Sequence, residues 1–304
     1  MSVTDVIKES LHYPFNDKKK ILYLGIFYAI IGAFSTGISY LISNPILNPI
    51  KPSLFEGLSN VTTFTQAVNL VSSQIPTINL YYITILGIIS IILGILATGY
   101  DFRVIKNAIN KNIDLPKFDR FPKMFIEGLK IIIVELVYAI LPILLFTISF
   151  SLFLFRGNST YNNTLMSIAS LIFILGLLIT IFLILVQIMA VNHMIANKGK
   201  LSFAFKFKEI IEIISSISWI RYIGALFMLL IISAIIGFAA NIIISIITFG
   251  VMVVSKQIII SALISTIIVG LFINPFLALF TDRALGSLYN ERVKSFDIDD
   301  EYII

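Results

Sequence analysis

Glu135 is the one ionisable residue set well inside a long apolar run. It lies a turn past the start of that run, roughly 6–8 Å along a helix that rises 1.5 Å per residue. A carboxylate there has two readings. It binds a proton or cation inside a helix bundle, the default reading for an intramembrane acid. Or it reaches surface water, or pairs with a neighbouring lysine. Gln187 and Asn274 fall at similar depth in later apolar runs, and Asn192, His193, Asp282 and Arg283 sit at the ends of those runs. These seven are the candidate members of one polar cavity near a single membrane face. Its chemistry would be a vestibule or a headgroup pocket. The competing reading is interhelical hydrogen bonding, worth about 0.6–2 kcal/mol per contact. Asn274-Pro275 predicts either a local break that frees carbonyls, as in broken transporter helices, or a plain proline kink.

Other chemistry is sparse. His12 and His193 are the only histidines and lie far apart in sequence. A metal site needs more ligands and supporting partners, so no metal is expected. No phosphate-binding glycine loop, nucleophile elbow or zinc-protease motif occurs, and no cofactor is expected. With no cysteine, thiolate catalysis and disulfides are excluded. Asp101 and Asp119 sit in one charged interval, which supplies carboxylate pairs by chance. The expectation is a non-enzymatic protein.

The elements that must position these groups are membrane spans. The chain is 58% hydrophobic and 13% charged over 304 residues, against about 25% charged in soluble domains. Six apolar runs reach the ~20 residues needed to cross a bilayer: 21–42, 79–98, 131–155, 165–191, 222–249 and 258–281. The fold class is therefore all-α, a polytopic six-span bundle. The chain reads as one integral membrane domain over 1–304, with a polar segment 1–20, the bundle 21–281 and a tail 282–304. A signal peptide is not expected, because the first apolar run is too long. Gly25, Gly32, Ala33 and Gly37 would let another helix approach the first span closely.

Between the second and third runs lies the longest polar interval, Gly99–Lys130, with seven lysines and arginines. Placing it in the cytoplasm puts all of the 22 Lys and Arg residues on that side except Lys51, Arg156 and Lys256. This positive-inside bias predicts both termini cytoplasmic in the cell membrane. The net charge of +5 then points to anionic lipid headgroups, not to nucleic acid. Lys18, Lys19, Lys20, Arg103, Lys123, Lys130, Lys206 and Lys208 are the candidate headgroup contacts. A homo-oligomer or another membrane protein is a further possible partner.

Three segments on that side mix aromatics and aliphatics with lysines: 3–20, 115–130 and 201–221. Each predicts an interfacial helix before a span. In the first, Thr4 caps a helix from Asp5, and Val3, Ile7, Ser10 and Leu11 share a face. In the third, Phe203, Phe207, Ile210, Ile211 and Ile214 do. The ends of the returning spans also rhyme: Tyr100-Asp101-Phe102-Arg103, Asn192-His193 and Thr281-Asp282-Arg283. Three tandem helical-hairpin units would give this pattern. On the outer side, apolar residues at helical spacing from Leu58 to Ile75 predict a further amphipathic helix.

His12-Tyr13-Pro14-Phe15-Asn16-Asp17, Gly99-Tyr100, Arg103, Leu115-Pro116, Phe118-Asp119 and Phe125-Ile126-Glu127-Gly128-Leu129-Lys130 form a pattern that resembles the family called domain of unknown function 4013. The resemblance is clearest over residues 1–145. It implies a polytopic, mainly archaeal membrane protein and carries no assigned activity. Two functions stand open. The first is a non-enzymatic membrane protein whose basic, aromatic face engages anionic lipid or a partner protein. The alternative is a transporter or channel for a small solute or lipid that uses the polar cavity.

Overall fold

The computed structural model describes residues 3–47, 66, 76–154 and 162–291. Among them every regular element is helical. The order is α1 (Val3–His12), a 3-10 turn (Tyr13–Asn16), α2 (Lys18–Leu47), α3 (Thr77–Ile109), α4 (Phe121–Leu154), α5 (Asn162–Ala196), a second 3-10 turn (Leu201–Phe205), α6 (Phe207–Ile217), α7 (Trp219–Ser255), α8 (Ile258–Ile268), a π-helical turn (Val269–Ile273) and α9 (Asn274–Tyr289). Six helical stretches are long and apolar enough to cross a membrane, as the hydropathy requires. The predicted helix between Leu58 and Ile75 lies outside the described residues. So do the connector 155–161 and the tail from 292.

The helices extend beyond the apolar runs. Helix α3 continues past Gly99 to Ile109, because Phe102, Val104, Ile105 and Ala108 keep an apolar face and are buried. Helix α4 starts at Phe121. The long polar interval is thus mostly helix, with an irregular loop only over 110–120. The predicted interfacial helix over 115–130 does not form as a separate element. Its first half is extended loop and its second half is the first turns of α4.

The other two interfacial helices form. Helix α1 begins at Val3, two residues earlier than the expected start at Asp5, so Thr4 lies within the helix, and it buries Val6, Ile7 and Ser10. The Ser10 hydroxyl donates to the Val6 carbonyl at 2.7 Å, and Pro14 ends the helix in the 3-10 turn. In the third segment the 3-10 turn Leu201–Phe205 resets the helical phase. Helix α6 therefore buries Ile210, Ile213, Ile214 and Ile217, while Phe203 stands outside the helix and Phe207 is exposed. Ser218, at φ 77°, makes the corner into α7.

The chain divides into two compact units. The first comprises 1–17, 98–232 and 279–304. Its core is organised by α5, whose Val186, Met189, Ala190, Val191, Met194 and Ile195 are all buried. They pack with Ile131, Val134 and Tyr138 of α4, the four α6 isoleucines, and Tyr222 of α7. The buried tyrosines satisfy their hydroxyls: Tyr138 donates to the Ala204 carbonyl at 2.9 Å and Tyr222 to the Leu185 carbonyl at 2.7 Å.

The second unit comprises 18–97 and 233–278. Here α2 packs on α8 and the π-helical turn. Gly25 and Gly32 permit this, as predicted. A Cβ on Gly25 would lie 2.4 Å from the Leu271 carbonyl oxygen, and one on Gly32 would lie 2.4 Å from the Thr266 methyl. Gly270 returns the fit against the Ala29 backbone. The expected break at Asn274-Pro275 takes a specific form. Pro275 has no N–H for the carbonyl four residues earlier, that of Leu271, and the helix widens to π geometry over Val269–Ile273 just before it. The helix then resumes at Asn274 without a gap.

Candidate functional site

Two sites lie in the first unit, and both are built across α3, α4 and the region of α5. The loop 110–120 is held from within. Arg103 donates from Nε to Glu127 Oε2 at 2.7 Å, and from Nη1 to the carbonyls of Lys117 (3.0 Å) and Asp119 (2.8 Å) and to Asp119 Oδ1 (3.2 Å). Tyr100 stacks on Phe118 with centroids 4.0 Å apart and donates to the Pro116 carbonyl at 3.1 Å. Lys111 and Arg120 adopt left-handed φ of 56° and 52° at the loop's two ends. Arg103 is therefore committed to its own loop and is not a free headgroup contact. Asp119 is its ion-pair partner, so no Asp101–Asp119 pair exists.

Beside this loop is a cavity of about 330 Å³. Four lysines line it: Lys106 from α3, Lys123 and Lys130 from α4, and Lys198 after α5. Phe102, Pro122, Ile126 and Ile195 supply apolar wall. The one acid in the lining, Glu127, is taken by Arg103. The N-terminal turn of α4 adds the positive end of its dipole. Gly199, at φ 68°, sits against the site, where a Cβ would come within 3.0 Å of the Phe102 ring and 3.4 Å of Lys130 Nζ. A left-handed glycine is thus needed both for the turn and for the close approach.

The second site is a cavity of about 210 Å³. Its polar lining is Thr98 and Asp101 of α3, Glu135 of α4, Gln187 and Asn192 of α5, and Asp282 of α9. Asp101 and Asp282 lie within hydrogen-bonding reach of each other. Asn192 is 1% exposed and donates from Nδ2 to the Leu285 carbonyl at 3.2 Å. Asp101 Oδ1, Asp282 Oδ2 and Asn192 Oδ1 are buried and have no hydrogen-bond partner among the described residues.

Four of the seven residues expected in a polar cavity therefore converge: Glu135, Gln187, Asn192 and Asp282. The other three do not line it. Asn274 is exposed and belongs to the second unit. Arg283, 2% exposed, donates to Glu9 Oε1 and the Asn112 carbonyl, with its guanidinium 4.8 Å over the Tyr13 ring. The adjacent helical position simply points it elsewhere. His193 accepts or donates at 2.8 Å with the Tyr289 hydroxyl and at 3.1 Å with Glu209 Oε2. Asp101 joins the four in the cavity, and the sequence signal for it is the rhyme between Tyr100-Asp101 and Thr281-Asp282.

Among the expected headgroup contacts, Lys123 and Lys130 line the lysine cavity. Lys206 pairs with Glu209 at 2.8 Å and covers the Phe203 ring. Lys208 is exposed on α6, and Lys18, Lys19 and Lys20 open α2 in the second unit. The Lys206 and His193 contacts hold the Glu209 carboxyl below the usual carboxylate range, Lys206 contributing most. A depressed carboxylate stabilises the fold above its unfolded value and loses that contribution as pH falls through the folded one. Attachment of α6 should thus be unchanged from neutral pH down to about 4 and loosen below it, near the unperturbed glutamate value. Hydrogen exchange across 207–217 as a function of pH measures this. Glu209→Gln should remove the acid-side change.

A curated protein of Methanocaldococcus jannaschii, itself uncharacterised, is 26% identical over 309 aligned positions that cover 95% of this chain and 96% of the relative. No solved structure matches the chain. A family model matches residues 82–245. That stretch holds the Gly99–Lys130 motifs and both the α3 and α5 walls of the two sites, whereas the His12–Asp17 phrase lies before it. On that match, the chain belongs to the family described as protein of unknown function DUF4013.

Proposed function

We propose that the protein is a non-enzymatic integral membrane protein that binds the phosphate headgroup of anionic lipid through the lysine cavity, on the cytoplasmic side of the cell membrane. One observation carries this reading. Lys106, Lys123, Lys130 and Lys198 surround a single cavity whose only acid is already neutralised by Arg103. Four ammonium groups beside apolar wall suit a phosphate attached to acyl chains, since the wall receives the glycerol and upper chain. The distribution of Lys and Arg supports the cytoplasmic placement. Solute transport is a second reading, favoured by the separate acidic cavity.

Each basic residue near an anionic surface contributes about 1 kcal/mol, or roughly fivefold in affinity. The double variant Lys123→Gln/Lys130→Gln should therefore weaken retention of phosphatidylglycerol by at least about tenfold in native mass spectrometry of the detergent-solubilised protein. Phosphatidylcholine retention should not change. Competition by inorganic phosphate would show that the site takes the free anion as well as the lipid. Equal retention of both lipids by the unaltered protein would end this reading.

A further inference from the structure

The acidic cavity in the first unit is chemically the opposite of the lysine cavity and does not depend on it. Three of its oxygen acceptors, Asp101 Oδ1, Asp282 Oδ2 and Asn192 Oδ1, are buried without a donor among the described residues. A buried acceptor left unsatisfied costs about 1–3 kcal/mol, more for a charged group. Three in one cavity, from three different helices, mark a place for something that supplies positive charge to oxygen. Asn192 is the telling member. It is a neutral side chain, 1% exposed, whose amide nitrogen is fixed on the Leu285 carbonyl so that its oxygen remains available.

The donor set is oxygen alone: two aspartates, Asn192, and the Gln187 and Glu135 side chains in the lining. Soft metals require thiolate or imidazole. The chain has no cysteine, and His193 is held by Tyr289 and Glu209. Among the described residues no lysine or arginine lines the cavity. Arg283, the neighbour of Asp282, is spent on Glu9 and Asn112. Asp101 and Asp282 lie within hydrogen-bonding reach of each other, so the pair must hold either a shared proton or a cation between its oxygens, and no basic residue of the described lining balances it. Mg²⁺ is bound through one or two carboxylates while keeping several waters, and each water takes about 30 Å³. A cavity of about 210 Å³ accommodates such a partly hydrated ion. It lacks the dense carboxylate cage that a six- to eight-coordinate Ca²⁺ prefers, because no three acidic, histidine or cysteine side chains cluster closely enough among the described residues.

We propose that Asp101, Asp282 and Asn192 form a binding site for a hard divalent cation of the Mg²⁺ class. The ion bridges α3 and α9 through the two carboxylates, and α5 contributes the amide oxygen.

Mn²⁺ serves as the probe, since it shares the oxygen preference of Mg²⁺ and is visible by electron paramagnetic resonance. The full chain, stripped with chelator in an uncharged maltoside detergent, is titrated with Mn²⁺. One saturable site per chain is expected, displaced by Mg²⁺ and not by NaCl or choline chloride at matched ionic strength. Asp101→Asn and Asp282→Asn should each weaken Mn²⁺ binding by at least about tenfold, and Asn192→Leu by a smaller factor. Lys123→Gln/Lys130→Gln should leave Mn²⁺ binding intact, which separates failure here from failure of the lipid reading. If the aspartate variants do not fold, the stoichiometry and competition in the unaltered protein still decide. Absence of a saturable site would mean that the carboxyl pair holds only a proton. Displacement by Na⁺ would assign a monovalent ion. Either result overturns the proposal.

Discussion

Gly99→Ala should be among the most destabilising single-methyl changes in this protein. A Cβ at Gly99 would lie 1.9 Å from the Met124 carbonyl oxygen and 2.7 Å from its carbonyl carbon. Those are backbone atoms of α4, so no side-chain rotamer relieves the collision. The two helices must separate, and with them Tyr100 and Asp101 on one side and Met124, itself fully buried, on the other. Overpacking of a well-packed contact costs about 1–3 kcal/mol and sometimes more, and a backbone clash this close belongs at or above the top of that range. The control is Gly87→Ala in the same helix, where a Cβ meets nothing within 4 Å. That change should be neutral, or stabilising by about 0.5–1 kcal/mol, since alanine is the better helix former. Thermal unfolding in detergent, followed by fluorescence of the single tryptophan, Trp219, compares the two. Both sites should lose their ligands in the Gly99 variant, because both are built across α3 and α4.

Arg283→Met should release α1. The Arg283 guanidinium is the meeting point of three segments. It donates to Glu9 of α1, at 2.5 Å from Nη2 and 3.2 Å from Nε. It donates to the Asn112 carbonyl in the α3–α4 loop, and it covers the ring of Tyr13. Removing one partner of a fully buried pair costs about 3–5 kcal/mol. Glu9 is 38% exposed on its side chain, so water rehydrates part of its charge. The expected loss is nearer the 1.5–3 kcal/mol of a charge-assisted hydrogen bond. The apolar packing of Val6, Ile7 and Leu11 with Leu229, Phe280 and Ala284 would then carry more of the hold on α1. Limited proteolysis should cut between residues 3 and 17 in the variant and leave the six long helices intact. Arg283→Lys keeps a charge but cannot reach both Glu9 and Asn112 at once, so it should fall between the two. Equal protease resistance in all three proteins would remove this assignment.

The six spans, the two interfacial helices and the small-residue contacts of α2 were legible in the sequence, because apolar length and glycine spacing act locally. What was not legible follows from two physical causes. Apolar runs report where the bilayer is, not where hydrogen bonding stops. Helix α3 therefore passes Gly99 without interruption, since Phe102, Ile105 and Ala108 find a protein core in place of lipid. Rotation about a helix axis is the second cause. Asp282 and Arg283 are neighbours in sequence, yet one faces the acidic cavity and the other faces α1. The same 100° step separates Asn192 from His193. Depth along a span grouped these residues correctly, but only packing decided which of them meet. Charge alone also overcounted headgroup contacts: Arg103 and Lys206 are basic, and both are consumed by nearby carboxylates.

Photo-crosslinking tests directly whether the lysine cavity holds an anionic headgroup. A phosphatidylglycerol analogue carrying a photoreactive group next to its headgroup would be incorporated into vesicles with the full protein, irradiated, and the adducts mapped by peptide mass spectrometry. Adducts should concentrate on 102–106, 122–130 and 195–198, the segments that bring the four lysines together. They should be lost in Lys123→Gln/Lys130→Gln and with a phosphatidylcholine analogue. Adducts spread evenly along all six spans, or the same pattern from the zwitterionic analogue, would contradict headgroup binding in the cavity.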